Sequence, residues 1–330
     1  INIGGTLQSN LRILQGTNTS AIYNGNLNVN LTNTNANTQI QLGTVGNSTY
    51  NENIVAVNTG AGTGSGIFFN TSATASSTLA SGKTISLGAG GFTGGTLSLI
   101  RFTQLGATSQ TLSQTTGTGI LISGPTSTFN GNVDFNFPQI YLNGATYNGT
   151  ATIRKNGATD NASVGGNTFN GTTSITNTSA NYIRLANTTT DNYNADVTFA
   201  QNNTGVLAPN YNANCNYGGN VTVSATSTYT ITFGSAAGGI ATFNGTTAQS
   251  INKSGSVTNP VFTRLVMNKT ANDMTLNTRI NIVNSLTLTQ GIINTTATNI
   301  LNMNNAATTT IGNATSYING PMNYDMAVNA

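Results

Sequence analysis

The chain has 330 residues, of which ten are basic, seven are acidic and none is histidine, so its formal net charge is +3 and only 5% of it is charged. An ordinary soluble domain has about a quarter of its residues charged, and disordered chains combine low hydrophobicity with high net charge. Because 37% of this chain is apolar, we expect it to fold. Its basic residues are scattered and form no stripe that would bind nucleic acid or anionic lipid.

The first part of the chain, residues 1–126, is predicted to form the less regular coils. It contains the phrase "IYNGNLNV" from Ile22 and two glycine-rich runs, "GAGTGSG" at 60–66 and "GAGGFTGG" at 88–95. Neither run lies between a strand and a helix, as a phosphate-binding loop would. We predict that both runs are loops.

The middle part, residues 127–251, repeats one phrase in which an aromatic residue is followed by Asn-Gly or a close variant. The copies are "TFNGNVDF" from Thr128, "TYNGTATI" from Thr146, "TFNGTTSI" from Thr168, "NYNADVTF" from Asn192, "NYGGNVTV" from Asn216 and "TFNGTTAQSI" from Thr242. Their aromatic residues are 18, 22, 24, 24 and 26 residues apart, which is the size of one coil of a parallel β-solenoid. We predict that these rings point inward and form one structural column: Phe129, Tyr147, Phe169, Tyr193, Tyr217 and Phe243.

The Asn-Gly pair is interpreted as a corner between two strands of one coil. The predicted corner residues are Asn130, Gly131, Asn148, Gly149, Asn170, Gly171, Asn244 and Gly245. We expect this pair to supply the positive φ that a sharp corner requires. Stacked asparagines at equivalent corners should add a hydrogen-bonded ladder. Thr173 and Thr247 depart from the pattern, because Val133 and Val221 stand at the corresponding positions of other copies.

Short strands are predicted between the copies and in the last part of the chain, residues 252–330. "YIRLAN" at 182–187 and "TYTITFG" at 228–234 alternate between turn-forming residues. The stretch "LNTRINIVNSLTLTQG" begins at Leu276, and its aliphatic residues of one parity are Leu276, Ile280, Ile282, Leu286 and Leu288. Such alternation puts these side chains on one face of a strand–bend–strand path.

These elements predict an all-β fold, a right-handed parallel β-solenoid (β-helix) with irregular coils of about 18–26 residues. We expect one continuous solenoid over residues 1–330, in a chain that is a fragment of a longer polypeptide.

Residue types limit the chemistry of the chain. The single cysteine, Cys215, excludes an internal disulfide and a thiol pair, and the absence of histidine removes the commonest general base and metal ligand. No stretch reaches the ~18 uninterrupted apolar residues of a membrane span. We therefore expect no catalytic residue, no cofactor, no metal site and no membrane span.

Beyond these limits, the repeats resemble a known group of proteins. The run "TFNGTTSITNTSANYIRLANTTTDNYNADVTF", with "YGGNVTV", "ITFG", "ATFNGTTAQSI", "PVFTRLVMNKT", "LTLTQGIINTT" and "SYINGPM", resembles repetitive regions of very large secreted surface proteins of Bacteroidetes. The match covers about residues 127–322. That group includes adhesins exported by type IX secretion, some of them used in gliding motility. The resemblance implies an extracellular, cell-surface filament or stalk, anchored and secreted through regions outside this chain and capable of self-association.

Three functions follow as hypotheses. The first is a non-catalytic structural and adhesive module that attaches to abiotic surfaces or surface glycans. The second is a carbohydrate-active or tail-spike-type β-helix, which would need two carboxyl groups at one bond; only Asp191 and Asp196 lie close in sequence. The third is an ice-binding solenoid, suggested by "NTTTDN" at 187–192 and "ATTTIG" at 307–312. Ice binding needs a flat Thr-x-Thr array, and the varying coil length argues against it.

Overall fold

The chain folds as an all-β parallel β-solenoid of about 13 turns, which confirms the predicted fold class. This computed structural model describes residues 1–5, 7, 10–12, 20–32, 37–60 and 64–325, and no helix occurs among them. The chain divides into two compact units, Ile1–Asn161 (unit 1) and Ala162–Ala330 (unit 2). That one uninterrupted right-handed solenoid includes both units stays a prediction.

Unit 1 has three strands in each coil. In chain order they are β1 (Asn2–Gly5), β2 (Leu11–Arg12), β3 (Ser20–Tyr23), β4 (Leu27–Leu31), β5 (Gln39–Gln41), β6 (Asn47–Tyr50), β7 (Ile54–Asn58), β8 (Gly66–Phe68), β9 (Ser77–Leu79), β10 (Ile85–Phe92), β11 (Thr96–Leu99), β12 (Phe102–Gln104), β13 (Gln110–Ser113), β14 (Ile120–Ser123), β15 (Thr128–Phe129), β16 (Val133–Phe137), β17 (Gln139–Leu142), β18 (Thr146–Tyr147) and β19 (Ala151–Lys155). The first, second and third strands of successive coils pair in parallel, and we call the resulting sheets wall 1, wall 2 and wall 3.

Unit 2 repeats this order after β20 (Asn161–Ala162), a strand at the boundary. Its strands are β21 (Thr168–Phe169), β22 (Thr173–Asn177), β23 (Ile183–Arg184), β24 (Asp191–Tyr193), β25 (Val197–Gln201), β26 (Leu207–Ala208), β27 (Cys215–Tyr217), β28 (Val221–Ala225), β29 (Thr232–Phe233), β30 (Ala241–Phe243), β31 (Gln249–Gly255), β32 (Val261–Asn268), β33 (Met274–Leu276), β34 (Ile280–Asn294), β35 (Leu301–Met303), β36 (Thr308–Thr309), β37 (Ser316–Asn319) and β38 (Met322–Tyr324). Wall 1 contains β22, β25, β28 and β31, wall 2 contains β23 and β26, and wall 3 contains β21, β24, β27 and β30.

The core of each unit follows from period-two alternation along wall 1. In β16 the side chains of Val133, Phe135 and Phe137 are buried, whereas those of Asp134 and Asn136 face outward. Burying such aliphatic and aromatic side chains stabilises the fold by roughly 1.5–3 kcal/mol each. From β33 into β34 the alternation continues round the bend, because the five aliphatic residues of one parity are all buried: Leu276, Ile280, Ile282, Leu286 and Leu288.

One glycine-rich run is a strand and not the predicted loop. Residues 88–92 of "GAGGFTGG" complete β10, which pairs with β7 on either side of a bulge. A Cβ at Gly88 would lie 2.5 Å from a methyl group of Val57, and one at Gly90 would lie 2.9 Å from its other methyl group. Glycine is therefore required because the valine side chain fills this space. The other run, at 60–66, lies partly outside the described residues.

Two glutamine side chains replace the backbone ladder between β10 and β13. Oε1 of Gln110 accepts the N–H of Ile85 over 2.8 Å, and Oε1 of Gln114 accepts the N–H of Phe92 over 2.7 Å. Both glutamines are buried. Because a buried N–H without a partner is costly, these side chains let wall 1 continue where the bulge of β10 prevents regular pairing.

Candidate functional site

The aromatic residues of the phrase stack in register within each unit. In unit 2, Phe169 pairs with Tyr193, Tyr193 with Tyr217, and Tyr217 with Phe243. The ring centroids of these pairs are 4.9, 5.4 and 5.3 Å apart, with interplanar angles of 4°, 7° and 28°. All four rings are buried. Offset stacking of this kind adds ~0.5–1.5 kcal/mol per pair beyond the burial of the rings.

Unit 1 has the same column, with an interruption that the phrase does not predict. Phe129 stacks on Tyr147 at 5.5 Å, and Tyr23 stacks on Tyr50 at 5.0 Å. Between these pairs the register positions are occupied by Leu79 and Gln104. Two rings from other positions, Phe69 and Phe102, fill this space. Phe69 contacts Tyr50 and Phe102 edge-on, and Phe102 contacts Phe129. Sequence reasoning missed these two rings because they lie outside the phrase.

The glycines of the predicted corners are required for close approach between coils, and the expected positive φ is wrong. Gly131, Gly149 and Gly245 all have φ outside the left-handed region. A Cβ at Gly131 would lie 2.1 Å from the carbonyl oxygen of Thr108, and one at Gly245 would lie 2.0 Å from that of Gly218. The corner therefore excludes a side chain because the backbone of the preceding coil occupies its place. Gly171 follows β21 in the equivalent bend.

Asparagines of successive coils form hydrogen-bonded pairs in both units, most of them at equivalent register positions. In every pair, Nδ2 of the later asparagine donates to Oδ1 of the earlier one, over 2.6–3.3 Å. The pairs are Asn2–Asn28, Asn24–Asn51, Asn130–Asn148 and Asn136–Asn156 in unit 1, and Asn170–Asn194, Asn187–Asn212, Asn192–Asn216, Asn252–Asn277, Asn281–Asn302 and Asn294–Asn319 in unit 2. Asn244 does not take part, because Gly218 is its counterpart in the coil before.

The last corner is longer, which explains why Thr247 lacks an apolar counterpart. Tyr217 pairs with Phe243 and Val221 pairs with Ile251, so this corner has four more residues than the corresponding corner of the coil before. Nζ of Lys269 donates to the carbonyls of Gly245 and Thr247 over 2.5 and 2.7 Å, and to Oε1 of Gln249 over 2.8 Å. Burial lowers the pKa of Lys269. Thr173, the other departure, starts β22 with a buried side chain opposite Val197.

A column of threonines lies on the outer face of wall 3 in unit 1. Thr49, Thr78, Thr103, Thr128 and Thr146 pair in register from each coil to the next. Their spacings along the chain are 29, 25, 25 and 18 residues. Wall 3 of unit 1 therefore keeps strict register from Thr49 to Thr146, and the loops absorb the variation in coil length. The side chains stand ~4.8 Å apart, the strand separation of a sheet.

Asp191 and Asp196 do not face the same space. Asp191 is fully buried, and its Oδ1 accepts hydrogen bonds from N and Nδ2 of Asn167, both over 2.8 Å. Asp196 is exposed, and its carboxylate accepts hydrogen bonds from N and Nδ2 of Asn220 over 2.8 and 3.1 Å. Each carboxyl group thus connects two coils, one in the core and one on the surface.

Two surface cavities each contain one carboxyl group. A cavity of about 260 Å³ in unit 2 is lined by Asp273 and Lys269, among others, and Asp273 accepts a hydrogen bond from Asn294 over 3.2 Å. A cavity of about 240 Å³ in unit 1 is lined by Asp134, which forms an ion pair with Arg154 at 2.6 Å. Neither cavity brings two carboxyl groups together.

Within the described part of the chain, no group of three or more acidic or cysteine side chains is arranged to hold a metal ion. Nor do the described residues include a helix with the length and apolar character needed to cross a membrane. Comparison of the chain with family models, curated proteins and solved structures finds no match.

Proposed function

We propose that this chain is a non-catalytic structural and adhesive module of a cell-surface filament or stalk, which attaches to glycans or abiotic surfaces. The observation that supports it is the combination of a repeating core with a repeating exterior. Ring columns and asparagine ladders hold the coils in register, and the walls present rows of uncharged side chains that form hydrogen bonds.

The composition of these rows favours neutral ligands. On wall 1 of unit 2, Ser174, Thr198 and Thr222 follow one another in register and point outward. Some of the few charged side chains are already paired, as in Lys83–Glu52 and Arg154–Asp134. Because few charges create little long-range field, adhesion through such walls rests on hydrogen bonds and on contacts with exposed tyrosine rings.

The extracellular location and the Bacteroidetes type IX origin, with its link to gliding motility, are the finer part of this proposal. They are supported by the phrases between residues 127 and 322 that resemble repetitive surface adhesins. In that setting, segments outside this chain interact with the secretion and anchoring machinery, and copies of the module associate into filaments.

The test is retention of the purified chain on immobilised neutral glycans and on abiotic surfaces across a salt series. We expect retention that changes little with salt, because released counterions carry charge-dependent binding. A reducing-sugar release assay is run in parallel. Absence of retention would contradict adhesion, and turnover that is abolished by replacing Asp191 or Asp196 would favour the carbohydrate-active alternative.

Ice binding is the second candidate, because the threonine column of unit 1 gives it a specific basis. The register of Thr49 to Thr146 removes the objection from varying coil length. The flanking outward positions include Arg101 and Leu105, so the threonines form one row and not a wide array. Thermal hysteresis that is lost in Thr103→Leu would support this candidate, and ice growth unchanged by the wild-type chain would exclude it.

A further inference from the structure

Arg184 is held between two tyrosine rings on the outer face of wall 2 in unit 2. Its guanidinium carbon lies 3.8 Å from the ring centroid of Tyr182 and 4.2 Å from that of Tyr211. Both distances are well within the ~6 Å range of cation–π contacts. All three side chains are partly exposed. We call these three residues the arginine clamp.

The fold builds the arginine clamp from two neighbouring coils. Tyr182 and Arg184 lie two residues apart, so their side chains share the outward face of the strand. The residue that pairs with Arg184 in the next coil is Ala208, whose methyl group leaves room for the guanidinium. Tyr211 follows in the loop after β26, and its N–H donates to the carbonyl of Leu185 over 2.9 Å. This bond fixes the backbone from which the second ring projects.

The guanidinium of Arg184 has no hydrogen bond or ion pair with any described residue. The ion pairs Lys83–Glu52 and Arg154–Asp134 belong to unit 1 and do not involve it. A guanidinium carries five N–H donors in one plane. The two rings hold the guanidinium while the side chain stays partly exposed, so its unpaired donors are accessible to an anion from solvent.

We propose that the arginine clamp binds the carboxylate of a uronic-acid residue in an acidic glycan. A planar carboxylate matches the guanidinium fork with two parallel hydrogen bonds. The rings already restrict the arginine, so binding costs little additional side-chain entropy. Close by in the chain, Asn212 donates to Asn187 over 3.0 Å, which provides amides for the sugar hydroxyls.

This proposal goes beyond the adhesion to neutral surfaces proposed above, because it adds an acidic ligand class at one site. Different results would contradict general adhesion and uronate binding by the arginine clamp. Loss of retention on neutral supports would contradict general adhesion and leave the clamp in place, whereas loss of uronate binding alone would contradict the clamp.

The experiment measures binding of the purified chain to polygalacturonate, to its methyl-esterified form and to dextran sulfate at one salt concentration. We expect the free acid to bind and the neutral ester to bind at least about tenfold more weakly. Arg184→Lys keeps the charge but lacks the planar fork, and it should weaken uronate binding by about 10- to 100-fold. Tyr211→Leu leaves the arginine but opens one side of the clamp, so an intermediate loss is expected.

The matched control is Arg154→Lys, whose arginine is already paired with Asp134 at 2.6 Å in unit 1. This variant should bind uronate like the wild type. Circular dichroism establishes that each variant is folded. Equal binding by wild type and Arg184→Lys, or equal binding of acid and ester, would overturn the proposal. Tighter binding of dextran sulfate than of polygalacturonate would also overturn it, in favour of a sulfate site.

Discussion

Asn167 donates both its backbone N–H and its side-chain amide to one carboxyl oxygen of Asp191, each over 2.8 Å. The pair lies in the core of unit 2, and Asp191 pairs in register with buried Cys215 in the next coil. Burial raises the pKa of Asp191 to about 7, although the hydrogen bonds from Asn167 act in the opposite direction. Burial also raises the pKa of the Cys215 thiol above its ordinary value, so the thiol stays neutral when Asp191 titrates.

The free energy of unfolding should therefore fall as pH rises from about 4 to above 7. In this window the unfolded chain, with an ordinary carboxyl pKa of 3.8, loses its proton first, and the folded chain loses it only near 7. Protonated Asp191 thus contributes on the order of 4 kcal/mol to the free energy of unfolding at low pH, and this contribution is lost at high pH. Urea unfolding at pH 4.5, 6 and 8 measures it.

The control is Asp191→Asn, which keeps an acceptor for Asn167 but cannot ionise. Its stability should vary less with pH than that of the wild type, so the difference between the two proteins should follow one titration. Parallel pH profiles for the two proteins would show that Asp191 does not control this dependence.

The ring column predicts a large difference between neighbouring residues of one strand. Phe169→Ala removes a fully buried ring that stacks on Tyr193, and it should lower the free energy of unfolding by about 3–5 kcal/mol. Thr168→Ala, on the outward side of the same strand, should cost less than about 1 kcal/mol. Chemical denaturation of both variants tests this contrast. Equal, small losses would mean that the column does not support the core.

The sequence indicates the ring column because the same corner recurs, and each recurrence carries its own aromatic residue. The contributions of Phe69, Phe102 and the two glutamines that bridge β10 and β13 were not predictable, because each compensates for an irregularity in a neighbouring coil. The arginine clamp was not predictable for a different reason. Tyr211 is 27 residues after Arg184 along the chain, so only the register of wall 2 brings them together.

The asparagine ladder should contribute modestly and locally. Asn194→Ala removes the donor to Asn170, which bonds over 2.7 Å at an exposed corner, and should lower stability by about 0.5–1.5 kcal/mol. Asn214 is also exposed, and its side chain bonds to no other described residue, so Asn214→Ala should be nearly neutral. The two variants are compared by urea unfolding. A loss as large for Asn214→Ala would attribute the effect to asparagine in general and not to the ladder.

Two glycines at the same place in the phrase allow two reasons for a recurring turn glycine to be distinguished by mutation. One reason is close contact between the backbones of neighbouring coils, and the other is glycine's conformational freedom. Gly25 follows Tyr23-Asn24, and Gly131 follows Phe129-Asn130; neither has positive φ. A Cβ at Gly25 would meet nothing within 4 Å, whereas one at Gly131 would lie 2.1 Å from the Thr108 carbonyl oxygen.

Gly131→Ala should therefore lower stability by about 1–3 kcal/mol, because the coils must move apart. Gly25→Ala should be neutral or slightly stabilising, since it restricts only the unfolded chain. Thermal and urea unfolding of both variants measure this. Equal destabilisation would mean that the corner depends on glycine's conformational freedom after all, and a neutral Gly131→Ala would contradict the close contact between coils.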